Sequence, residues 1–367
     1  MLNTTDQQID NHTDPIQAFW DWFAENSDEF FQIIQSHDQV EERLITKLGA
    51  QLNALHPSLY FLVGLEDDGK AHLYITPEGV VQHVAYAEKM VAAAPELPNW
   101  TFKALKPGTK KLEFEIRTEG LTFGKNNLQF YPIVNPNFPD KIDLMFVYDS
   151  FHPESYQEIL NGTFLFLDSF LGEEVMINTV DHIEVRGPGA DIEELIPLEK
   201  LPDYLNWREK EFVEKYQEIT YDPTDDSYTG FEGTTQEDMP IISTINTTVL
   251  NWDHKASHPW ILVIMNEYIP ANESGFPDAD TFDLMVSVEE KIEERLMQRP
   301  GFIFLGTETV NGIREAFFAC RDFRYASEVM DEFIEAYADK LNMRMEFFKD
   351  RYWQSFEKYR QANHLED

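Results

Sequence analysis

The residues closest to a metal-binding set are Asp253, His254 and His258, within the sequence NWDHKASHP. Imidazole and carboxylate groups are common zinc ligands, and two histidines four residues apart lie on one face of a helix. Ser257 and Pro259 favour a loop over a helix here, so the spacing does not bring the two rings together. The pattern predicts a solvated loop, with incidental metal binding as the alternative, and we predict no metal site.

Signatures of nucleotide binding and of covalent catalysis are missing from the sequence. It contains no G-x-x-x-x-G-K-[ST] loop, no G-x-G-x-x-G turn after a strand and no G-x-S-x-G elbow. Gly187-Pro188-Gly189 follows a predicted strand, but its proline removes an amide that a phosphate would use. Cys320, the single cysteine, lies in the apolar run AFFAC and is predicted to be a core residue. We therefore predict no catalytic residue and no cofactor, and the sequence favours a non-enzymatic role.

Two arginines are candidates for a recognition site, because arginine is scarce in this chain. Arg314 and Arg321 flank one predicted strand and stand beside Glu315 and Asp322. An exposed guanidinium beside aromatic rings can recognise a partner, whereas pairing with neighbouring acids would be structural, and both alternatives stay open. Trp353 belongs to an aromatic cluster that either closes over a sheet or contributes to binding. The predicted binding residues are Arg314, Glu315, Arg321, Asp322 and Trp353.

The charge of the chain limits its partners. Its 367 residues include 67 Asp and Glu against 29 Lys and Arg, a formal net charge of −38. Such a chain repels nucleic acid and anionic membranes, and it contains no basic patch that would reverse this. The polar N-terminus lacks the pattern of a leader peptide and no apolar run is long enough to span a membrane, so we expect a cytoplasmic protein. At physiological salt only clusters of acids can act on a partner.

The elements that must position these residues begin with two amphipathic helices. Apolar residues recur at steps of three or four in PIQAFWDWFAENSDEFFQII, and again from Gln39 to Leu55. Asp67-Asp68-Gly69 separates two short apolar runs and predicts a hairpin. Further strands and helices follow up to an amphipathic helix at Leu201–Ile219. The first 219 residues are therefore predicted to form a mixed α/β domain.

The C-terminal part has a clearer order of elements. The segment 220–239 is rich in Asp, Thr, Gly and Ser and lacks a helical or strand period, which predicts an acidic linker. The following patterns read strand, helix, strand, strand, helix, strand, with Asn311-Gly312 as the hairpin turn. This is the order of a split βαβ fold, so residues 240–367 are predicted to form a ferredoxin-like sandwich with one free sheet face.

Three stretches of this domain carry a resemblance to a known family. PWILVIM, NGIREAFFACRD and FFKDRYWQSFEKYRQ resemble the uncharacterised bacterial domain-of-unknown-function family 695, over roughly residues 239 to 361. The resemblance implies a fold distantly similar to that of regulators which bind and inhibit ribonuclease E. FWDWFAEN, APELPNW, LDSFLGEE and IPLEKLPDYL in the N-terminal half are similar to another uncharacterised bacterial segment. Neither resemblance assigns a catalytic residue.

The pattern as a whole predicts a two-domain α/β protein that works through its surface. We expect a protein-binding regulator, inhibitor or immunity-type factor, with a basic partner if the acids share one face. One alternative is a hydrolase or transferase with its site in a cleft between the domains. The other is a structural subunit that buries its free sheet face against a second copy. The sequence leaves the oligomeric state and the partner open.

Overall fold

The computed structural model describes residues 14–109, 111–189 and 194–363 and is mixed α/β, which confirms the predicted class. The chain divides into two compact units, Met1–Lys106 and Pro107–Asp367. The predicted division at 220–239 therefore falls inside the second unit. Contacts between distant parts of that unit explain this, because Asp181 forms ion pairs with Lys349 and Arg351.

The first unit packs helices on a three-stranded sheet of order β1-β2-β3, in which β1 and β2 form the antiparallel hairpin predicted from Asp67-Asp68-Gly69. A π-helical turn at Glu41–Ile45 precedes the second helix. The core is aromatic, and Trp20, Phe23 and Phe30 of the first helix are fully buried in it. The elements are α1 Pro15–Ser36, α2 Thr46–Leu55, β1 Tyr60–Leu65, β2 Ala71–Thr76, α3 Val84–Ala92 and β3 Trp100–Ala104.

The second unit begins with a small hairpin and a four-stranded sheet of order β8-β7-β6-β9. Helix α4 packs on this sheet and contributes Phe166 and Leu167 to its core. The elements are β4 Ile116–Thr118, β5 Leu121–Phe123, β6 Leu128–Ile133, β7 Asp143–Tyr148, α4 Tyr156–Leu171, α5 Glu173–Asn178, β8 His182–Arg186, β9 Ile196–Pro197 and α6 Leu201–Tyr216.

A six-stranded antiparallel sheet of order β10-β11-β13-β14-β12-β15 completes this unit. In two places a helix joins two parallel strands that have one antiparallel strand between them, which defines a split βαβ unit. The elements are β10 Tyr228–Thr234, β11 Pro240–Asn246, β12 Trp260–Glu267, α7 Ala279–Leu296, β13 Phe302–Val310, β14 Ile313–Cys320, α8 Arg324–Tyr337, β15 Asn342–Lys349 and α9 Glu357–Asn363.

Strands β10 and β11 extend the sheet beyond the four predicted strands, so the ferredoxin-like assignment itself stays a prediction. Part of the segment predicted as a linker is strand β10. Its sequence lacks the pattern of a strand because an edge strand that is exposed on most of its surface needs few apolar side chains. Phe231 of β10 contacts the C-terminal aromatic cluster, with its ring 5.2 Å from that of Tyr359. The sheet face expected to be free carries this cluster, which includes Trp353, Phe356 and Tyr359.

Two sharp backbone positions shape the sheet. Asn311 and Gly312 both have positive φ, 38° and 83°, as the predicted two-residue hairpin turn requires. Gly306 has φ 140° at a register shift between β13 and β14. A Cβ atom at Gly306 would lie 2.2 Å from the carbonyl oxygen of Thr244, so this bulge requires glycine.

Candidate functional site

Strand β10 is an edge of the six-stranded sheet and pairs only with β11 among the described strands. The amide of Thr235 donates to the carbonyl oxygen of Met239 at 2.8 Å, and the amide of Thr247 donates to the carbonyl oxygen of Ser227 at 2.9 Å. In an antiparallel ladder the intervening residues direct their N–H and C=O groups away from the partner strand. The outward groups are therefore those of Tyr228, Gly230, Glu232 and Thr234.

Acidic side chains surround this edge. The segment 222–238 contains six Asp and Glu residues and no Lys or Arg, and five of the six acids are exposed. Hydrogen bonds from the Thr224 hydroxyl and amide lower the pKa of Asp222, which stays ionised. The acids are Asp222, Asp225, Asp226, Glu232, Glu237 and Asp238. We call strand β10 with these flanking acids the acidic edge.

Arg314, a predicted binding residue, lies on the face of β14 that packs against the helices and is only 8% exposed. Its Nε and Nη2 atoms donate to the Glu289 carboxylate of α7 at 2.9–3.0 Å, and its Nη1 atom donates to the Thr309 hydroxyl at 3.0 Å. The Phe282 ring lies 5.2 Å from its guanidinium carbon. The surroundings of Arg314 are therefore those of the structural alternative, in which its guanidinium pairs with an acid of the same chain.

Glu315 lies on the opposite face of β14, as neighbours on a strand must. There it faces Glu308 across the β13–β14 pair. Burial raises the pKa of the Glu315 carboxyl, and the charge of Glu308 adds to this effect. Burial would raise the pKa of Glu308 too, but hydrogen bonds from Tyr359 and Ser243 and the charge of Lys358 hold it below its usual value.

Trp353, also predicted to bind, is 2% exposed and donates its indole N–H to the His258 carbonyl at 3.0 Å. It stands at the turn where the chain leaves β15, with a positive φ of 52°. Its ring lies 6.2 Å from that of Trp252. These contacts match the predicted alternative in which the aromatic cluster closes over the sheet.

Arg321 and Asp322 follow the end of β14 and line the same cavity. Arg321 donates to the carbonyl oxygens of Gln217, at 3.2 Å, and Ile219, and forms no ion pair with a carboxylate of the described chain. Burial lowers the pKa of its guanidinium. Asp322 accepts hydrogen bonds from the amide and the Nη1 atom of Arg324, at 2.8 and 2.9 Å.

This cavity has a volume of about 450 Å³ and lies within the second unit, between α6, the start of β12 and the ends of β14 and β15. We call it the arginine cavity, after Arg321 and Arg351. Arg314 is seven residues from Arg321, which places it roughly 20 Å away along the strand. The structure therefore brings together two of the five predicted residues. The sequence missed Arg351, Trp260, Phe212 and Tyr216, which also line this cavity.

Behind the arginine cavity, one carboxylate is shared by two cations. Asp181 lies 3.0 Å from the Lys349 ammonium and accepts a hydrogen bond from the Nε atom of Arg351 at 2.6 Å. Burial lowers the pKa of Lys349 to about 8, although Asp181 opposes the shift. Its ammonium also donates to three carbonyl oxygens of residues 177–180. These contacts satisfy Lys349, which does not line the cavity.

Ser257 and His258 form the nearest approach to a nucleophile and base. The Ser257 hydroxyl lies 2.8 Å from the Nδ1 atom of His258 and 2.7 Å from the His254 carbonyl. Burial, reinforced by the positive charge of Arg321, lowers the pKa of His258 to about 3. The imidazole is thus neutral at pH 7 and a weak base, which is a poor match to nucleophilic catalysis.

Within the described part of the chain, no group of three or more His, Cys, Asp or Glu side chains is placed to hold a metal ion. The predicted core position of Cys320 agrees with the structure, because this thiol is fully buried and burial raises its pKa. No helix in the described ranges has the length and apolar character that crossing a bilayer demands.

Comparison with known proteins gives one match, and it covers most of the six-stranded sheet. Residues 231–359 match the model of a family of unknown function, DUF695. The predicted resemblance of the C-terminal part is thereby confirmed. Neither a curated protein nor a solved structure shows significant similarity to the chain.

The DUF695 segment runs from the middle of β10 to the aromatic cluster after β15. It contains all five predicted binding residues. It also contains Trp260 and Arg351 of the arginine cavity, whereas Phe212 and Tyr216 belong to α6, outside the match. The cavity is therefore assembled from the DUF695 segment and the chain that precedes it.

Proposed function

We propose that this protein is a non-enzymatic, protein-binding regulator that captures a basic, extended segment of its partner along the acidic edge. The observation that carries this proposal is the edge of β10, which pairs only with β11 among the described strands and lies within a run of six acids that contains no basic residue. The expectation of a basic partner depended on acids sharing one surface, and here they flank a single strand.

The backbone supplies the docking groups. An added strand pairs with the outward N–H and C=O groups at Tyr228, Gly230, Glu232 and Thr234, as in other cases of β-strand addition. Gly230 and Gly233 leave the approach open, because a Cβ atom at either position would meet no atom within 4 Å. Natural edge strands are commonly protected by lysine, proline or a covering element, and β10 itself contains neither lysine nor proline.

Electrostatics supplies the selectivity. Exposed carboxylates attract a cationic segment during encounter and disfavour acidic ones, and the effect falls as salt screens the charges. Glu232 lies on the strand, Asp225 and Asp226 precede it, and Glu237 and Asp238 follow it in the turn to β11. A partner strand would therefore meet negative charge along its whole length.

The proposal is tested with peptides of about eight residues, a typical strand length. Fluorescently labelled peptides that alternate Lys with Val, or Glu with Val, are titrated with the full chain while anisotropy is measured. We expect saturable binding of the Lys–Val peptide alone, weakened about tenfold or more between about 20 and about 300 mM NaCl. Equal binding of both peptides, or none of either, contradicts the proposal.

Two variants separate the backbone from the charge. Glu232→Pro removes an outward amide that β11 does not use, whereas Glu232→Thr removes only the carboxylate. We expect the proline variant to lose about tenfold more affinity than the threonine variant, as the loss of a backbone hydrogen bond implies. Glu273→Thr, at an exposed acid in the loop before α7, is the matched control and should bind like the parent.

A structural subunit is distinguished by its mass in solution. Light scattering that reports a dimer, together with loss of that dimer in Glu232→Pro, would assign the acidic edge to a second copy of this chain. A monomer that binds the Lys–Val peptide supports the regulator.

A further inference from the structure

The arginine cavity is a separate feature that peptide docking at β10 does not use. Its volume of about 450 Å³ lies within the range of roughly 300–1,000 Å³ typical of small-molecule sites. It is formed inside the second compact unit, so its walls belong to one packed body.

Arg351 lines this cavity and carries donors that have no hydrogen-bond partner in the described chain. The residue is 4% exposed and lies with its guanidinium carbon 4.5 Å from the centroid of the Phe212 ring. Its Nε atom is bonded to Asp181, but its two terminal amino groups have no hydrogen-bond partner within the described ranges. Both amino groups remain accessible to solvent, so an acceptor that enters the cavity can complete the fork of this arginine.

Two cations beside the cavity share one carboxylate, since Lys349 and Arg351 both pair with Asp181. Asp143 is a further carboxylate near this group, and burial and the charge of Asp181 raise its pKa. Arg321 contributes a second guanidinium at the cavity wall, with an Nε atom that is buried and has no hydrogen-bond partner.

Two carboxylates also line the cavity. Asp322 is held by Arg324 through two hydrogen bonds, and Glu209 is an exposed side chain of α6. Neither approaches Arg321 or Arg351 within ion-pair distance. They therefore leave the terminal amino groups of Arg351 available to a ligand, whereas those of Arg321 also donate to the carbonyl oxygens of Gln217 and Ile219.

The remaining walls are apolar and aromatic. Trp260 and Tyr216 are buried and contribute rings, and Phe212 carries Arg351 on its face. Planar groups stack well on such walls, while a guanidinium binds a carboxylate or phosphate through two parallel hydrogen bonds.

We infer that the arginine cavity binds a small organic anion, a planar apolar body that carries a carboxylate or phosphate group. The anionic group pairs with Arg351 and Arg321, and the planar body packs against Trp260 and Phe212. The site is independent of the acidic edge, so its failure would leave the proposed peptide binding unaffected.

Calorimetric titration of the full chain with four probes tests this inference. Benzoate and phenyl phosphate carry the proposed chemistry, benzamide keeps the ring without the charge, and benzylamine reverses the charge. We expect saturable binding of at least one anion, about tenfold tighter than benzamide, with none of benzylamine. The stronger of the two anions identifies carboxylate or phosphate as the preferred group.

Variants locate the binding in the arginine cavity. Arg351→Gln and Arg321→Gln should each weaken anion binding about tenfold, whereas Arg344→Gln, at an exposed residue on the opposite sheet face, should not change it. If Arg351→Gln fails to fold by circular dichroism, Arg321→Gln decides the question. The inference is overturned if no anion saturates up to about 10 mM, if benzamide binds as tightly, or if the folded variants bind like the parent.

Discussion

Arg314 and Glu289 are each more than nine-tenths buried. Variants of this ion pair therefore measure what a buried charge contributes to the free energy of unfolding. Arg314→Met leaves the Glu289 carboxylate buried without its partner, and we expect a loss of about 3–5 kcal/mol in the free energy of unfolding. Arg314→Met combined with Glu289→Met should recover most of that loss, because an apolar pair of similar volume replaces both charges. Urea unfolding measures both variants.

A recognition role for Arg314 makes a different prediction from a structural one. If the folded double variant lost affinity for the Lys–Val peptide, the Arg314–Glu289 pair would contribute to recognition despite its burial. Sequence alone left this choice open, because neighbouring acids such as Glu315 suggested a local pair. The actual partner, Glu289, lies 25 positions away on α7 and was not foreseeable from local spacing.

Asp140 links α6 to the turn after β15 and should make the stability of the second unit depend on pH. It accepts hydrogen bonds from Tyr216 at 2.8 Å and Tyr352 at 2.6 Å, and pairs with Lys215 at 2.8 Å. Burial alone would raise the pKa of Asp140, but these contacts hold it below its usual value. Its stabilisation is therefore complete above the unfolded-state pKa and is lost as pH falls through the lower folded-state pKa.

Asp140→Asn measures this contribution. We expect the variant to be about 2 kcal/mol less stable at about pH 7 and the difference to shrink as pH falls below the unfolded-state pKa and through the lower folded-state pKa of Asp140. Chemical unfolding across that range gives the difference directly. A difference that stayed constant with pH would show that the charge of Asp140 is not what stabilises the contact.

At the scale of elements, the glycine bulge in β13 is a position where backbone geometry decides stability. Gly306→Ala would place a methyl group 2.2 Å from a carbonyl oxygen at a φ of 140°, so we expect a loss of about 3 kcal/mol. Gly230→Ala in β10 is the matched control, since its methyl group meets nothing within 4 Å. It should change stability by less than about 1 kcal/mol. Thermal unfolding distinguishes the two, and equal effects would contradict this account of the bulge.

The same elements show how far sequence patterns reach. Asn311-Gly312 and Asp67-Asp68-Gly69 predicted their hairpins because a tight turn depends on local residues alone. Strand β10 was predicted as linker because exposure on most of its surface removes the alternation that marks a strand. The arginine cavity was missed because Phe212, Trp260, Arg321 and Arg351 meet only after folding. The free sheet face predicted for the C-terminal part is instead partly covered by the aromatic cluster around Trp353.

At the scale of the whole molecule, the formal charge of −38 should act on stability and on binding in opposite directions. Repulsion among the excess carboxylates destabilises the compact state, and added salt screens it. We expect the midpoint of thermal unfolding to rise between about 20 and about 300 mM NaCl. Each kcal/mol that this screening adds to the free energy of unfolding should raise the midpoint by about 2–4 °C. Chloride is used because sulfate also strengthens apolar burial.

The same change of salt should weaken the capture of the Lys–Val peptide, since screening removes the attraction of the acidic edge. Stability and affinity measured in one salt series therefore separate the two consequences of the charge. If both increased with salt, apolar contacts would dominate peptide binding. If the unfolding midpoint fell instead, attractive ion pairs such as those of Asp140 and Asp181 would outweigh the general repulsion, and the acids would stabilise the fold through specific contacts.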